Sequence, residues 1–255
     1  MHLVDTHTHI YIPEMREQIG AIMHRAQQNR VQQFFLPNID KDSVKDVFSL
    51  CDEYPHSCFP MMGLHPCSVD ENVEESLSAI KNYIDEPRIV GIGEIGIDLY
   101  WEKSFIEEQK HAFRVQIHWA KERNLPIVIH CREAFDEIYE ILLQERDEKL
   151  RGIFHCFTGT ETQALQIIDL GFYLGIGGVL TYKNSGLADA IKNIDLKHIV
   201  LETDSPYLSP VPHRGKPNES SYLIHVAEKL ALVKNTSLEL IANQTSLNAY
   251  DIFKQ

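Results

Sequence analysis

The stretch Gly91-Ile92-Gly93-Glu94-Ile95-Gly96 has the spacing Gly-x-Gly-x-x-Gly, and two folds compete for it. In an open dinucleotide-binding sheet these glycines form the turn between a strand and a helix, so that the helix N-terminus faces a pyrophosphate. Here the first two glycines fall inside an apolar run that itself reads as a strand. The next helical pattern begins only at about residue 104, too late for a phosphate-binding turn. The dinucleotide reading therefore fails. What remains is a strand closed by a carboxylate, Glu94.

Working outward, short runs rich in Val, Ile and Phe predict strands over 2–7, 31–36, 58–63, 89–94, 126–130, 152–156, 172–176 and 198–203. Amphipathic patterns between them predict helices over 14–29, 42–54, 73–84, 104–124, 134–146, 162–171 and a short 186–194, with two more over 220–233 and 237–253. Eight strands, each followed by a helix, make an α/β chain of the (β/α)₈ barrel type; an open doubly wound sheet usually has fewer strands. No composition break marks a second domain, so 1–255 reads as one barrel, with Pro-rich 205–217 a loop after strand eight.

Composition narrows the function. At 44% hydrophobic and 24% charged residues, the 255-residue chain excludes disorder, collagen and coiled coil. Lys and Arg number 24 against 37 Asp and Glu, a net charge of −13 that argues against a broad electrostatic grip on nucleic acid. It leaves open an enzyme whose positive charge comes from bound metal ions. The start resembles no signal peptide, and no apolar stretch reaches the roughly 20 residues of a membrane-spanning helix. Five cysteines, an odd number without Cys-x-x-Cys, argue against a disulfide framework or zinc ribbon. The expectation is a cytoplasmic chain with no membrane association and no obligatory protein partner.

His7 and His9 close strand one, Glu94 strand four, His130 strand five, His155 strand six and Asp204 strand eight. These are C-terminal strand ends, the rim where such a barrel builds its active site. Strand alternation predicts that Asp5, His7 and His9 share a face, as do Val90, Ile92 and Glu94, and Val200, Glu202 and Asp204. His-x-His alone is weak evidence, but five strand ends carrying ligand-type residues suit two divalent ions, with Glu94 bridging and Asp204 binding one ion beside its water. Asp5 and Glu202, one layer lower, read as carboxylates that orient histidines. Cys131 and Cys156 each follow a ligand histidine and should point outward into packing; Met61 and Met62 read as barrel filler.

These residues lie in motifs that resemble the TatD-type metal-dependent deoxyribonucleases of the amidohydrolase-like barrels. The carriers are Val4-Asp5-Thr6-His7-Thr8-His9, Gly63-Leu64-His65-Pro66, Gly91–Asp98, Leu125–Arg132, Phe154-His155-Cys156-Phe157-Thr158-Gly159, Gly171-Phe172-Tyr173, Leu201–Leu208 and Pro212–Glu219. The resemblance implies a divalent-metal phosphodiesterase, typically a magnesium-dependent 3′→5′ exonuclease on single-stranded DNA, with the ligand pattern falling on His7, His9, Glu94, His130, His155 and Asp204. Two departures are visible. Cys67 stands where relatives often have a second His, which touches a substrate or extra-metal contact. Ser220 replaces a Pro and is expected to matter only to a helix start.

The expected chemistry is hydrolysis by a water that two ions acidify to hydroxide, with Asp204 orienting and deprotonating it and Glu94 fixing the ion separation. His65, Arg132, His213 and Arg214 are the candidate phosphate donors; for Arg132 a salt bridge to an acidic neighbour is the competing role. Tyr100, Trp101 and Tyr207 either stack bases or cap the barrel mouth. A lactone, an amide or an aminoacyl ester of RNA is the alternative substrate, since fold does not choose among them. The many imidazoles favour zinc or manganese, while the resemblance favours magnesium.

Overall fold

Eight parallel strands follow one another in chain order around the computed structural model, which describes residues 2–101 and 103–254. They are β1 (Leu3–Asp5), β2 (Val31–Pro37), β3 (Cys58–Met62), β4 (Gly91–Asp98), β5 (Ile127–Arg132), β6 (Gly152–Phe154), β7 (Phe172–Ile176) and β8 (Ile199–Leu201). Thr6 N donates to Leu201 O at 3.0 Å and Thr8 bridges Ser205 in parallel, which brings the last strand back to the first. The result is the (β/α)₈ barrel expected from the strand count.

Helices wrap the outside: α1 (Pro13–Arg16), α2 (Ile19–Gln28), α3 (Val44–Glu53), α4 (Val73–Lys81), α5 (Ile106–Arg123), α6 (Phe135–Glu145), α7 (Glu161–Asp169), α8 (Leu187–Ile191), α9 (Leu223–Lys234) and α10 (Leu238–Phe253). The pattern over 14–29 is two helices rather than one, because Gln18 leaves the helical region at φ −120°, ψ 16°. One apolar cluster lies between strands and helices; a smaller one fills the barrel interior with Val4, Phe35, Met61, Val128, Ile153 and Val200. α10 plugs the lower end with Ala249, Ile252 and Phe253, the Phe253 ring stacked on Phe35 at 3.9 Å. Met61 is thus interior filler, whereas Met62 packs outside the barrel. With the bottom sealed by hydrocarbon, polar groups collect at the opposite rim.

Strand four departs most from expectation. It does not close at Glu94 but runs on to Asp98, pairing with β5 from Ile95↔Ile129 through Asp98↔Arg132. Ile95 and Ile97, buried in the outer layer, extend it. Nor does simple alternation aim Glu94 inward. Cβ atoms at Gly91 and Gly93 would meet interior Met61 and Val128, while Ile92 belongs to the outer layer. A register shift between Ile92 and Ile95 turns Glu94 back into the barrel. Gly96, at φ +146°, lets β4 close on β5 where a Cβ would sit 2.0 Å from His130 O. The shared face expected in β1 fails similarly: Val4 faces the interior, and the chain leaves regular strand geometry after Asp5, before His7 and His9.

Candidate metal centre

Six of the singled-out side chains converge at this rim on the buried carboxylate of Glu94. Its Oε2 lies 3.2 Å from His7 Nε2 and 3.6 Å from His9 Nε2. Its Oε1 lies 2.8 Å from His130 Nδ1 and 3.3 Å from both His65 Nε2 and His155 Nε2. Asp204 closes the first group, Oδ1 lying 3.6 Å from His9 Nε2 and 3.9 Å from His7 Nε2. Among the described residues three sets satisfy ligand spacing: His7, His9, Glu94; His7, His155, Asp204; and His65, Glu94, His130.

The far nitrogens decide what the near ones can do. Tyr11 OH donates to Pro37 O at 2.7 Å, so its oxygen accepts from His9 Nδ1 at 2.9 Å. His130 Nε2 donates to Asp98 Oδ2 at 2.9 Å, and His155 Nδ1 lies 3.1 Å from Glu202 Oε1. In neutral His9 and His130 the inner nitrogen is then a lone pair turned toward a carboxylate. Lone pairs facing carboxylates repel, so the arrangement calls for cations between them. Imidazole nitrogens with carboxylate oxygens are a donor set for zinc, manganese and related divalent ions, and the residues present fit such a group.

Burial alone would push Glu94 up, but the imidazoles of His65, His155 and His7 and the His130 hydrogen bond hold it well below the usual carboxylate range. Asp204 is likewise low: burial is outweighed by the His9 hydrogen bond and by His155 and His7. Against the cost of burial, Glu202 and Glu94 raise His155 well above the ordinary histidine value, and Asp98 and Glu94 raise His130. Burial lowers His7, which stacks on His155 at 3.7 Å.

His65 differs from its neighbours. Its Nδ1 accepts the Cys67 amide at 3.0 Å, which leaves the proton on Nε2. That nitrogen is a donor, not a lone pair, so His65 suits an oxygen of a bound anion better than a metal. Burial lowers its pKa, in keeping with a neutral ring.

The other expectations divide. Glu202 touches His155 as anticipated, and Gly175 makes room for it, since a Cβ there would lie 2.3 Å from Glu202 Oε2. Asp5 does not orient a histidine: its oxygens accept from Thr203 N at 2.9 Å and Thr203 Oγ1 at 2.6 Å, fixing the turn before Asp204. His213 is not brought to the centre; it stacks on Tyr222 at 3.7 Å in a cleft with Arg25 and Glu219. Arg214 lies over Tyr182 at 3.7 Å, and Arg132 over Tyr100 at 3.8 Å; among the described residues Arg132 makes this stacking contact and no salt bridge. Tyr207 is exposed at the rim with its ring 6.2 Å from His9. Cys131 and Cys156 line a cleft of about 420 Å³ beside His155. Ser220 does begin a turn, yet its hydroxyl also lies 3.4 Å from Thr8 Oγ1, between the two ligand histidines.

Three partners escaped the sequence reading: Tyr11, Asp98 and Asn218. Tyr11 stands two residues past His9 and Asp98 ends the strand that carries Glu94, so proximity to a ligand was the available signal. Asn218 gave none. It donates to Thr203 O and Tyr207 O, both at 2.7 Å, and so pins the long loop against Asp204.

Residues 4–254 match the family described as TatD related DNase. The chain belongs to the TatD family. Within it, an uncharacterized metal-dependent hydrolase of Bacillus subtilis is 37% identical over 253 residues, covering 99% of both chains. A 3′-5′ ssDNA/RNA exonuclease TatD of Erwinia tasmaniensis is 30% identical over 238 residues, covering 91% of this chain and 92% of that one. Among solved structures, the TatD homologue YJJV of Escherichia coli superposes with a TM-score of 0.93 at 27% identity, covering 99% and 98% of the two chains. This TatD-family member is a metal-dependent hydrolase, and no helix among its described residues is long and apolar enough to cross a membrane.

Proposed function

We propose that this hydrolase cleaves phosphodiesters at the end of a single DNA strand, releasing mononucleotides in the 3′→5′ direction at a centre of two divalent ions. The division of Glu94 carries the reading: one oxygen lies near His7 and His9, the other near His130 and His155, an arrangement in which one carboxylate would serve two cations. The named exonuclease relative supports the substrate class and direction. Bound there, divalent ions would acidify water and neutralise charge developing on phosphate.

The protein's own groups do the rest. Asp204, side chain 14% exposed, is the carboxylate of the centre most open to solvent, and its Oδ1 is placed to take a proton from an attacking water. His65 Nε2–H donates to a phosphate oxygen on the opposite side of Glu94. Tyr11 and Asp98 hold the imidazoles of His9 and His130 in the tautomer that points lone pairs inward, and the Glu202 carboxylate stands 3.1 Å from His155 Nδ1. With a net charge of −13, the protein offers little grip on a duplex, so binding concentrates on terminal nucleotides near the rim.

The test compares linear and circular single-stranded DNA of one sequence with Mg²⁺ or Mn²⁺ present. Mononucleotide release from the linear strand alone, starting at its 3′ end, is expected. Equal cleavage of both would mean endonuclease action and overturn the proposal.

A further inference from the structure

Asp98 divides its carboxylate between the metal centre and the rim. Oδ2 accepts from His130 Nε2 at 2.9 Å and, at 3.5 Å, from the Cys67 thiol. Oδ1 accepts the backbone amides of Tyr100 at 2.9 Å and Trp101 at 3.0 Å. The residue is 1% exposed, so water cannot readily replace these bonds.

The turn held by Oδ1 bears a platform. Tyr100 and Trp101 are 50% and 68% exposed, and their rings meet edge to face at 4.9 Å. The Arg132 guanidinium lies 3.8 Å from the Tyr100 ring centre and 5.3 Å from that of Trp101. Arg132 follows His130 by two residues on β5, and its carbonyl accepts from Leu99 N at 2.9 Å. Exposed aromatic rings beside a guanidinium are a stacking surface for an unpaired base.

We infer that Asp98 is a positioning residue that couples cation binding at His130 to the order of the Tyr100–Trp101–Arg132 platform, where a base of single-stranded nucleic acid stacks. The inference rests on the metal and substrate reading above. A cation on Nδ1 makes the Nε2–H a stronger donor, which fixes the Asp98 carboxylate and through it the two amides of the turn. A pre-ordered platform loses less entropy when a base stacks on it. By reciprocity, a strand stacked there raises the affinity of the His130 side for its ion.

Asp98→Asn interrupts the coupling by a simple conflict. Its amide has one accepting end. If that end serves His130, the NH₂ faces two backbone N–H donors; if it serves the turn, the NH₂ faces the His130 Nε2–H.

The experiment titrates Zn²⁺ into the metal-free full chain, reading heat of binding and acrylamide quenching of tryptophan. Trp119 is buried and shielded, so quenching reports Trp101. In the parent, Zn²⁺ should reduce quenching at least about twofold. In Asp98→Asn, Zn²⁺ affinity should fall about 10–100-fold, and quenching should stay unchanged even at saturation. Arg132→Gln, which leaves Asp98 intact, should keep Zn²⁺ affinity within about threefold yet lose part of the protection, and it serves if the Asn variant fails to fold. Full Trp101 protection in saturated Asp98→Asn overturns the inference, as does Zn²⁺ binding to the parent without any change at Trp101. A parent that binds no Zn²⁺ refutes the metal reading and the coupling together. Because no substrate enters this assay, coupling without DNA cleavage would overturn only the nuclease reading.

Discussion

Exchanging Glu94 for Gln keeps the side-chain volume but destroys the equivalence of its two ends. Oε1 sits 2.8 Å from His130 and 3.3 Å from His155, while Oε2 sits 3.2 Å from His7. The amide can offer oxygen to one imidazole group only, and its NH₂ hydrogens then point at the lone pairs of the other, where a cation would have to sit. The centre also loses the carboxylate common to two of its three ligand sets, and Asp204, in the third, remains. A unit charge about 4 Å from a cation is worth about 4 kcal/mol at the effective dielectric of a protein surface. Allowing for partial compensation by the remaining ligands, a loss of at least about 2.7 kcal/mol is expected, a hundredfold in kcat. The assay pairs metal content per chain with single-turnover release from 3′-labelled single-stranded DNA, and circular dichroism checks the fold. One tightly held ion instead of two, with turnover down at least about a hundredfold, is the expected result. Near-parental turnover with two ions retained would remove Glu94 from the bridge and refute the reasoning.

Tyr11→Phe removes the oxygen that accepts from His9 Nδ1 and strands Pro37 O; divalent-ion affinity by calorimetry should fall about 10–100-fold with the fold kept. Arg132→Ala should raise KM for single-stranded DNA about tenfold with kcat nearly unchanged, because it strips the guanidinium from the aromatic platform. His213→Ala, at a residue stacked on Tyr222 instead of facing the histidines, should change kcat/KM less than about threefold. Arg25→Met breaks the pair between α2 and Glu219, whose carboxyl is held low by Arg25 and Ser221 against the opposing effect of burial. A depressed carboxyl stabilises the fold above its unfolded value and loses that contribution as pH falls through its folded value. The stability difference from the parent, about 0.5–1 kcal/mol in urea at pH 7 for a pair whose arginine is partly exposed, should therefore vanish as the pH drops below the usual carboxylate range; a difference independent of pH would refute the assignment.

The barrel was legible because its eight apolar runs recur with helical patterns between them, a signal carried by many residues at once. The ligand residues were legible for a different reason: imidazoles and carboxylates at successive strand ends have few structural uses in common. The direction of Glu94 is not legible, since alternation puts Ile92 and Glu94 on one face and the observed register shift separates them. Such a shift depends on how β4 meets β5, and no local pattern records it. The role of Asp5 is hidden because an inward carboxylate next to a His-x-His invites pairing with histidine, whereas its partner Thr203 is remote in sequence. His213 was misplaced because a loop's charge says nothing of which way it folds back; Asn218 settles that through two carbonyls.

The slot at Gly175 changes how sequence variation in this barrel should be interpreted. The position sits in β7 among apolar neighbours and carries no chemistry of its own, so an alanine there would be classed as a harmless filling of space. Yet the added methyl would occupy the room of a Glu202 oxygen and press on the His155 backbone. The damage would surface as weakened cation affinity two contacts away, while the barrel stayed folded. Selection acting on ion binding therefore reaches into a wall of the barrel where no ligand resides, and tolerance at Gly175 measures the metal centre more directly than it measures packing.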